Sequence, residues 1–263
     1  MVTTDISCNL IHHGAAATSS SKVVIAIPSG LDDQSSEIVY ASHALLNISR
    51  STKLKIGDTN EEPIWNVYQT LRTSTRGSSS NSANVATMTA KRVITCVAQL
   101  TRIEEKGQED DVILACGFSD GTITSWNRRS NGDWKEIVLV TNNNDNVGEY
   151  GRSITDIGGM VMEDDTLVVI SCSSGGAMYY KFQKGNDEPI IEQSVVKTPA
   201  NSLRFYTLQS GKILVLIGTA APRHNKIHVF LITSSQIPQT YYCGALTGHE
   251  DWITCFDWFK SSS

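Results

Sequence analysis

Residues able to do chemistry are present in this chain, but not in the spacings that chemistry needs. Carboxylates gather at 104–111 and at Glu250-Asp251. Paired carboxylates do acid–base work when burial drives one pKa away from the other, yet both sets fall in loop-like sequence, where a solvated face is expected. His12 and His13 are adjacent, so in a strand they would point to opposite faces and would not readily share one ion. The six cysteines are Cys8, Cys96, Cys116, Cys172, Cys243 and Cys255, and no two are spaced C-x-x-C, so no zinc site is expected. Cys96, Cys116, Cys172 and Cys255 lie in apolar strand-like runs and read as buried reduced thiols rather than disulfides. P-loop and His-Glu-x-x-His motifs are absent, and the 6 histidines are scattered. The sequence therefore predicts no catalytic residue, no metal, no cofactor and no small-molecule substrate.

Bulk properties narrow the partners. The 263 residues carry a net charge of −5, and the basic residues occur at most in pairs such as Lys91-Arg92 and Arg128-Arg129. That is not the electrostatic footprint of a nucleic-acid binder, so no strong direct nucleic-acid binding is expected. The first 21 residues lack the basic and apolar regions of a signal peptide. No apolar run approaches the roughly 18 residues that span a bilayer, so no membrane association is expected and the expected location is the cytosol or nucleus.

The elements that would position any site are short strands. Residues 112–127 give two apolar strands flanking Asp120-Gly121, a strong hairpin signal because the turn tolerates positive φ. Strand, hairpin and outer strand recur at 154–196 and 203–246, and a weaker version occupies 22–71. Strand 154–162 is expected to break at Gly158-Gly159, and 44–48 and 53–56 read as separate strands. Residues 73–83 are low in complexity and read as a flexible insertion. Trp126, Tyr180 and Phe230 each close the second hairpin strand of a unit. No helical period intervenes, so the repeated order of strands favours a propeller over a sandwich.

The run Leu246-Thr247-Gly248-His249-Glu250-Asp251-Trp252-Ile253-Thr254-Cys255-Phe256-Asp257-Trp258 opens one more unit, with turn residues feeding an alternating strand. With Asp120, Gly121 and Trp126-Asn127, its Gly248-His249 pair resembles the WD-repeat family. That resemblance implies a blade in which His, a turn Asp, a strand hydroxyl and Trp hydrogen-bond together. The set is never complete here, since Cys116 stands where the hydroxyl would be and Met88-Thr89 where Gly-His would be. More narrowly, Lys226-Ile227-His228-Val229-Phe230 followed by Gly248-His249-Glu250-Asp251-Trp252 is similar to the family of WD-repeat subunits of the Elongator complex.

The resemblance implies an all-β propeller of WD-repeat type, incomplete, with about four blades plus the first strand of a fifth, 1–263 forming its partial N-terminal propeller. It implies a non-catalytic scaffold that supports modification of wobble uridines in tRNA, with the Elongator scaffold and catalytic subunits as partners. Asp251 and Trp252 are the candidate partner contacts. A general WD-repeat adaptor, in ubiquitin ligation or signalling, is the alternative.

Overall fold

In the computed structural model the described residues are 24–28, 36–56, 60–73, 93–102, 112–129, 132–141, 153–162, 164–183, 186, 188–208, 212–221, 225–233 and 240–255. They form sixteen strands in four antiparallel groups of four. The first blade holds β1 (Val24–Pro28), β2 (Ser36–Ser42), β3 (Leu45–Ile56) and β4 (Asn60–Arg72). The second holds β5 (Ile94–Arg102), β6 (Ile113–Phe118), β7 (Ile123–Arg128) and β8 (Trp134–Val140). The third holds β9 (Ile154–Val161), β10 (Leu167–Ser173), β11 (Gly176–Phe182) and β12 (Ile191–Val196), and the fourth β13 (Ala200–Thr207), β14 (Ile213–Thr219), β15 (Ile227–Ile232) and β16 (Thr240–Leu246). The fourth blade, like the first, pairs its strands in chain order. The innermost strands β5 and β9 also pair in parallel at Thr101↔Met160 and Arg102↔Val161, which joins the second and third blades.

Burial shows how the blades are assembled. Leu114, Cys116 and Phe118 of β6 pack with Val39, Leu46 and Ile48 of the first blade, whereas Ile113 and Ala115 pack with Val169 and Tyr180 of the third. On β10, Val169 faces the second blade, while Val168, Ile170 and Cys172 face Val215, Ile217 and Phe230 of the fourth. A strand's side chains alternate between faces. Each middle blade therefore buries both faces, one against each neighbour. This explains why β6 is buried at all six positions and reads as a continuous apolar run rather than an alternation. Sheets stacked face to face, with successive innermost strands as neighbours, are the blades of a β-propeller. The described residues form four blades of an incomplete propeller.

Two strand expectations change. The segments 44–48 and 53–56 belong to one strand, β3, which pairs with β4 from Leu45↔Arg72 to Ile56↔Asn60 through one register shift after Ile48. β9 runs unbroken through Gly158 and Gly159. These glycines admit neighbours instead of ending the strand: a Cβ on Gly158 would lie 2.9 Å from the Phe205 ring, and one on Gly159 would collide with the Val168 carbonyl oxygen. Thr73, the first residue of the expected insertion, is instead buried and donates its hydroxyl to the Ala44 carbonyl at 3.1 Å. The rest of that insertion, 74–83, lies outside the described residues, as do Cys8, His12, His13, Met88, Thr89 and the acidic run 104–111.

Candidate partner-binding surface

The WD-type residues sit at structurally informative places. Asp120 and Gly121 lie in the β6–β7 loop, where Phe118 N–H bonds the Thr122 carbonyl at 3.0 Å and Gly121 N–H the Phe118 carbonyl at 3.1 Å. Gly121 has φ of 84°, the left-handed position that a three-residue hairpin loop gives to glycine. Asp120 is exposed, and its carboxylate accepts the Thr122 N–H at 2.9 Å, an Asx-type cap on the turn. Trp126 is buried in β7 among Leu114, Ile48 and their neighbours, with no hydrogen-bond partner for its indole N–H among the described residues. Asp120 and Trp126 thus serve one hairpin at opposite ends, one as a turn cap and the other as packing.

Gly248, with φ of 105°, and His249, Glu250 and Asp251 are all exposed. Trp252 is 58% exposed, and its N–H bonds the Asp251 carboxylate at 2.7 Å. The next residue, Ile253, is buried. Its N–H meets the Thr219 carbonyl at 3.4 Å, and its carbonyl accepts the Ser202 hydroxyl at 3.1 Å. Residues 252–255 carry no strand assignment, and the continuation at 256–258 lies outside the described residues. Cys255 is exposed rather than buried, because no described strand packs over it; Cys96, Cys116 and Cys172 are buried, and Cys243 is exposed.

The bonds made by Ile253 belong to a series. Thr95 donates its hydroxyl to the Ile154 carbonyl at 2.5 Å, Thr155 to the Ala200 carbonyl at 2.8 Å, and Ser202 to the Ile253 carbonyl. In the first two cases a hydroxyl on one innermost strand reaches the carbonyl that begins the next blade's innermost strand, and Ser202 makes the same kind of bond to Ile253, which carries no strand assignment. Ile94-Thr95-Cys96-Val97, Ile154-Thr155-Asp156-Ile157, Ala200-Asn201-Ser202-Leu203 and Ile253-Thr254-Cys255 are therefore one repeated motif. Alignment on these inner strands would have found it, but alignment on the aromatics did not. Asp156 adds a second link, since its carboxylate accepts the Leu203 N–H at 2.8 Å as well as the Ile157 N–H at 2.9 Å. Gly117 and Gly218 make room for these junctions: a Cβ on Gly117 would strike the Ile154 side chain, and one on Gly218 would lie 2.7 Å from that of Ile253.

A charged cluster, not anticipated from the sequence, links the first two blades. Glu37 of β2 is fully buried, and its two oxygens accept Arg50 Nη2 at 2.6 Å and Arg128 Nη1 at 2.9 Å. Arg50 lies over the Tyr68 ring at 4.4 Å and Arg128 over the Trp134 ring at 5.6 Å. The hydrogen bond to Glu37 raises the Arg50 pKa against the opposing effect of burial. Burial, followed by the neighbouring Glu37 carboxylate, pushes the Tyr68 phenol up to about 12.

A concave feature of the described surface lies between the third and fourth blades. It is a groove of 380 Å³ lined by Val195, Val196, Lys197 and Thr198 where β12 leads into β13, and by Lys226, His228, Phe230 and Tyr242 of the fourth blade. Lys226, His228 and Phe230 alternate along the start of β15 and therefore share one face. Tyr242 is paired with Phe230 across β15–β16, its ring 5.3 Å from Phe230 and 5.9 Å from His228. Desolvation lowers the His228 pKa, and the Lys226 charge lowers it further. Tyr242 is 58% exposed, and Tyr241 and Leu246 on the same outer strand are also exposed.

No protein-family model and no curated protein matches the chain. Among solved structures it is similar to the crystal structure of BBS1N in complex with ARL6DN, soaked with lead, at 15% identity and a TM-score of 0.41, covering 87% of this chain and 70% of that one.

Among the described residues no group of three or more His, Cys, Asp or Glu is placed to hold a metal ion, and no helix is long and apolar enough to cross a membrane. Exposed rings at Tyr241, Tyr242 and Trp252 are the kind of side chain that anchors protein interfaces, large and apolar with a polar edge.

Proposed function

We propose that the chain is part of a non-catalytic WD-type scaffold subunit of the Elongator complex, one that supports modification of tRNA wobble uridines. The observation that carries this reading is the segment from β15 through Trp252. An Ile-His-Val-Phe strand is followed by an outer strand, and then by an exposed Gly-His-Glu-Asp-Trp run that leads into Ile253 at the start position of the inner-strand motif. The order of sequence elements is the one the Elongator resemblance implies, and the exposure of Asp251 and Trp252 leaves them accessible to a partner. The net charge of −5 suits a subunit that leaves direct tRNA contact to its partners, the scaffold and catalytic subunits of the complex.

Deleting the gene and quantifying carboxymethyl derivatives of wobble uridine in purified tRNA, by mass spectrometry of nucleosides, tests the proposal. Loss of these derivatives is expected, with their restoration by the wild-type gene. Unchanged levels would refute it. Purification of the tagged protein with its associated subunits separates this reading from a general WD-repeat adaptor in ubiquitin ligation or signalling.

A further inference from the structure

We propose that the groove between the third and fourth blades is a docking site for an acidic, extended peptide segment of a partner protein. This rests on the scaffold reading of the chain but not on which complex it joins.

Charge complementarity points to that occupant. The chain as a whole is acidic, with 27 Asp and Glu against 22 Lys and Arg. Yet none of the eight groove-lining residues is acidic, and two are lysines, Lys197 and Lys226. Among the described residues neither ammonium forms an ion pair with a carboxylate. A locally basic groove on an acidic surface attracts a carboxylate-bearing ligand and repels a cationic one. The chain's net charge of −5 also disfavours a nucleic-acid backbone, which carries one charge per nucleotide.

The floor and walls set the rest of the ligand. Val195, Val196 and Phe230 are apolar, and the rings of His228 and Tyr242 stand beside Phe230 at the distances given above. A bound apolar side chain would be held against these rings while flanking carboxylates reached Lys197 and Lys226. Tyr242 is poorly covered by the chain itself, so a ligand lying on it removes exposed ring surface from water. Because desolvation and Lys226 both hold the His228 pKa down, the imidazole contributes an apolar face with a polar edge.

The test uses the purified full chain and a fluorescein-labelled peptide that alternates glutamate with leucine and phenylalanine. Fluorescence anisotropy should show saturable binding that weakens as salt rises. The same peptide with lysine in place of glutamate should not bind. Lys197→Glu, at an exposed position, and Tyr242→Ala should each weaken binding at least about tenfold with unchanged melting by circular dichroism. Lys226→Glu serves as a third variant, read only if its melting is also unchanged. No preference for the acidic over the basic peptide, or wild-type affinity in Lys197→Glu, overturns the proposal. So does displacement of the acidic peptide by a single-stranded RNA oligonucleotide at lower concentration than an unlabelled acidic peptide requires. Because only the chain and a synthetic peptide are present, such a failure leaves the tRNA-modification result standing, and the converse holds too.

Discussion

Replacing Glu37 with glutamine tests whether the first two blades are held by a buried charge. The substitution keeps the side chain's size. It turns one of two acceptor oxygens into an NH2 donor, which must face an arginine N–H. Breaking a buried ion pair by removing one partner costs about 3–5 kcal/mol, because the remaining charge loses its compensation. Here the remaining charges differ. Only 9% of the Arg128 side chain is exposed, so it cannot recover hydration, whereas Arg50 at 26% can do so in part. The expected loss is therefore at the lower end, about 3 kcal/mol. For a chain of this size that corresponds to a fall in Tm of roughly 6–12 °C if unfolding is cooperative.

Repeat arrays unfold by interfaces as well as globally, so the loss should be concentrated where the first blade meets the second. Trp126 lies in that interface and Trp134 packs against it, so tryptophan fluorescence during a urea titration reports the change locally, with far-UV circular dichroism as the global comparison. A double-mutant cycle with Arg128→Met should give a coupling of about 1–3 kcal/mol, since the single Glu37 variant sets an amide against a buried guanidinium and the double variant does not. If Glu37→Gln shifts the fluorescence transition by less than about 0.5 kcal/mol, the size of an ordinary surface substitution, the carboxylate is not the buried latch described here.

Other expectations follow from the same interfaces. Gly117→Ala should destabilise by about 1–3 kcal/mol, the usual cost of overpacking, because its methyl group collides with Ile154 across the junction of the second and third blades; urea denaturation measures it. Burial pushes both Tyr179 and Tyr68 up to about 12, so these two of the 8 tyrosines should resist ionisation at 295 nm well above pH 10. Their folded pKa values lie above the unfolded value near 10, so the stability they contribute is fully present below pH 10 and is lost as pH rises from 10 through 12. Tyr179→Phe should remove its share of that alkaline loss in melts across the same range. Among Cys96, Cys116, Cys172, Cys243 and Cys255, only the last two should be alkylated rapidly in the native protein, as peptide mapping would show, and all five should react in guanidinium.

Much of the fold is legible in the sequence because the same register recurs. Trp126, Tyr180 and Phe230, aligned by spacing alone, pair with Leu114, Val169 and Val215, each three residues before the strand position held by Gly117, Cys172 and Gly218. All three aromatics face the preceding blade, so their alignment reflects one physical role. The inner-strand motif was harder to see. Its donor moves from Thr95 and Thr155 to Ser202, one position along, and its partners lie 45 to 59 residues away. Glu37 gives no local signal at all, because a carboxylate in a β-branched run reads as the polar face of a strand until Arg128, 91 residues on, closes over it. The groove is likewise assembled from 195–198, 226–230 and 242, three stretches that share no motif.

The degenerate repeat signature and the regular blades are reconciled by where the polar links lie. A tetrad within each blade would tie hairpin to strand by satisfying buried polar groups, and a blade lacking it must hold its strands together otherwise. Here the strands are held by their backbone ladders and, in the two middle blades, by apolar burial on both faces. Trp126 supplies packing with no partner for its indole N–H among the described residues, and Tyr180 and Phe230 fill the same place. Among the described residues, polar links also run between blades: the hydroxyls of Thr95 and Thr155, the Asp156 carboxylate and the Glu37 cluster each bond to a neighbouring blade, and Ser202 makes the matching bond to Ile253. Apolar burial is non-directional and would let adjacent sheets slide, whereas a hydroxyl-to-carbonyl bond fixes one register. Gly248-His249 stands outside the described junctions and exposed, while Ile253, immediately beyond it, already occupies the next position in their series.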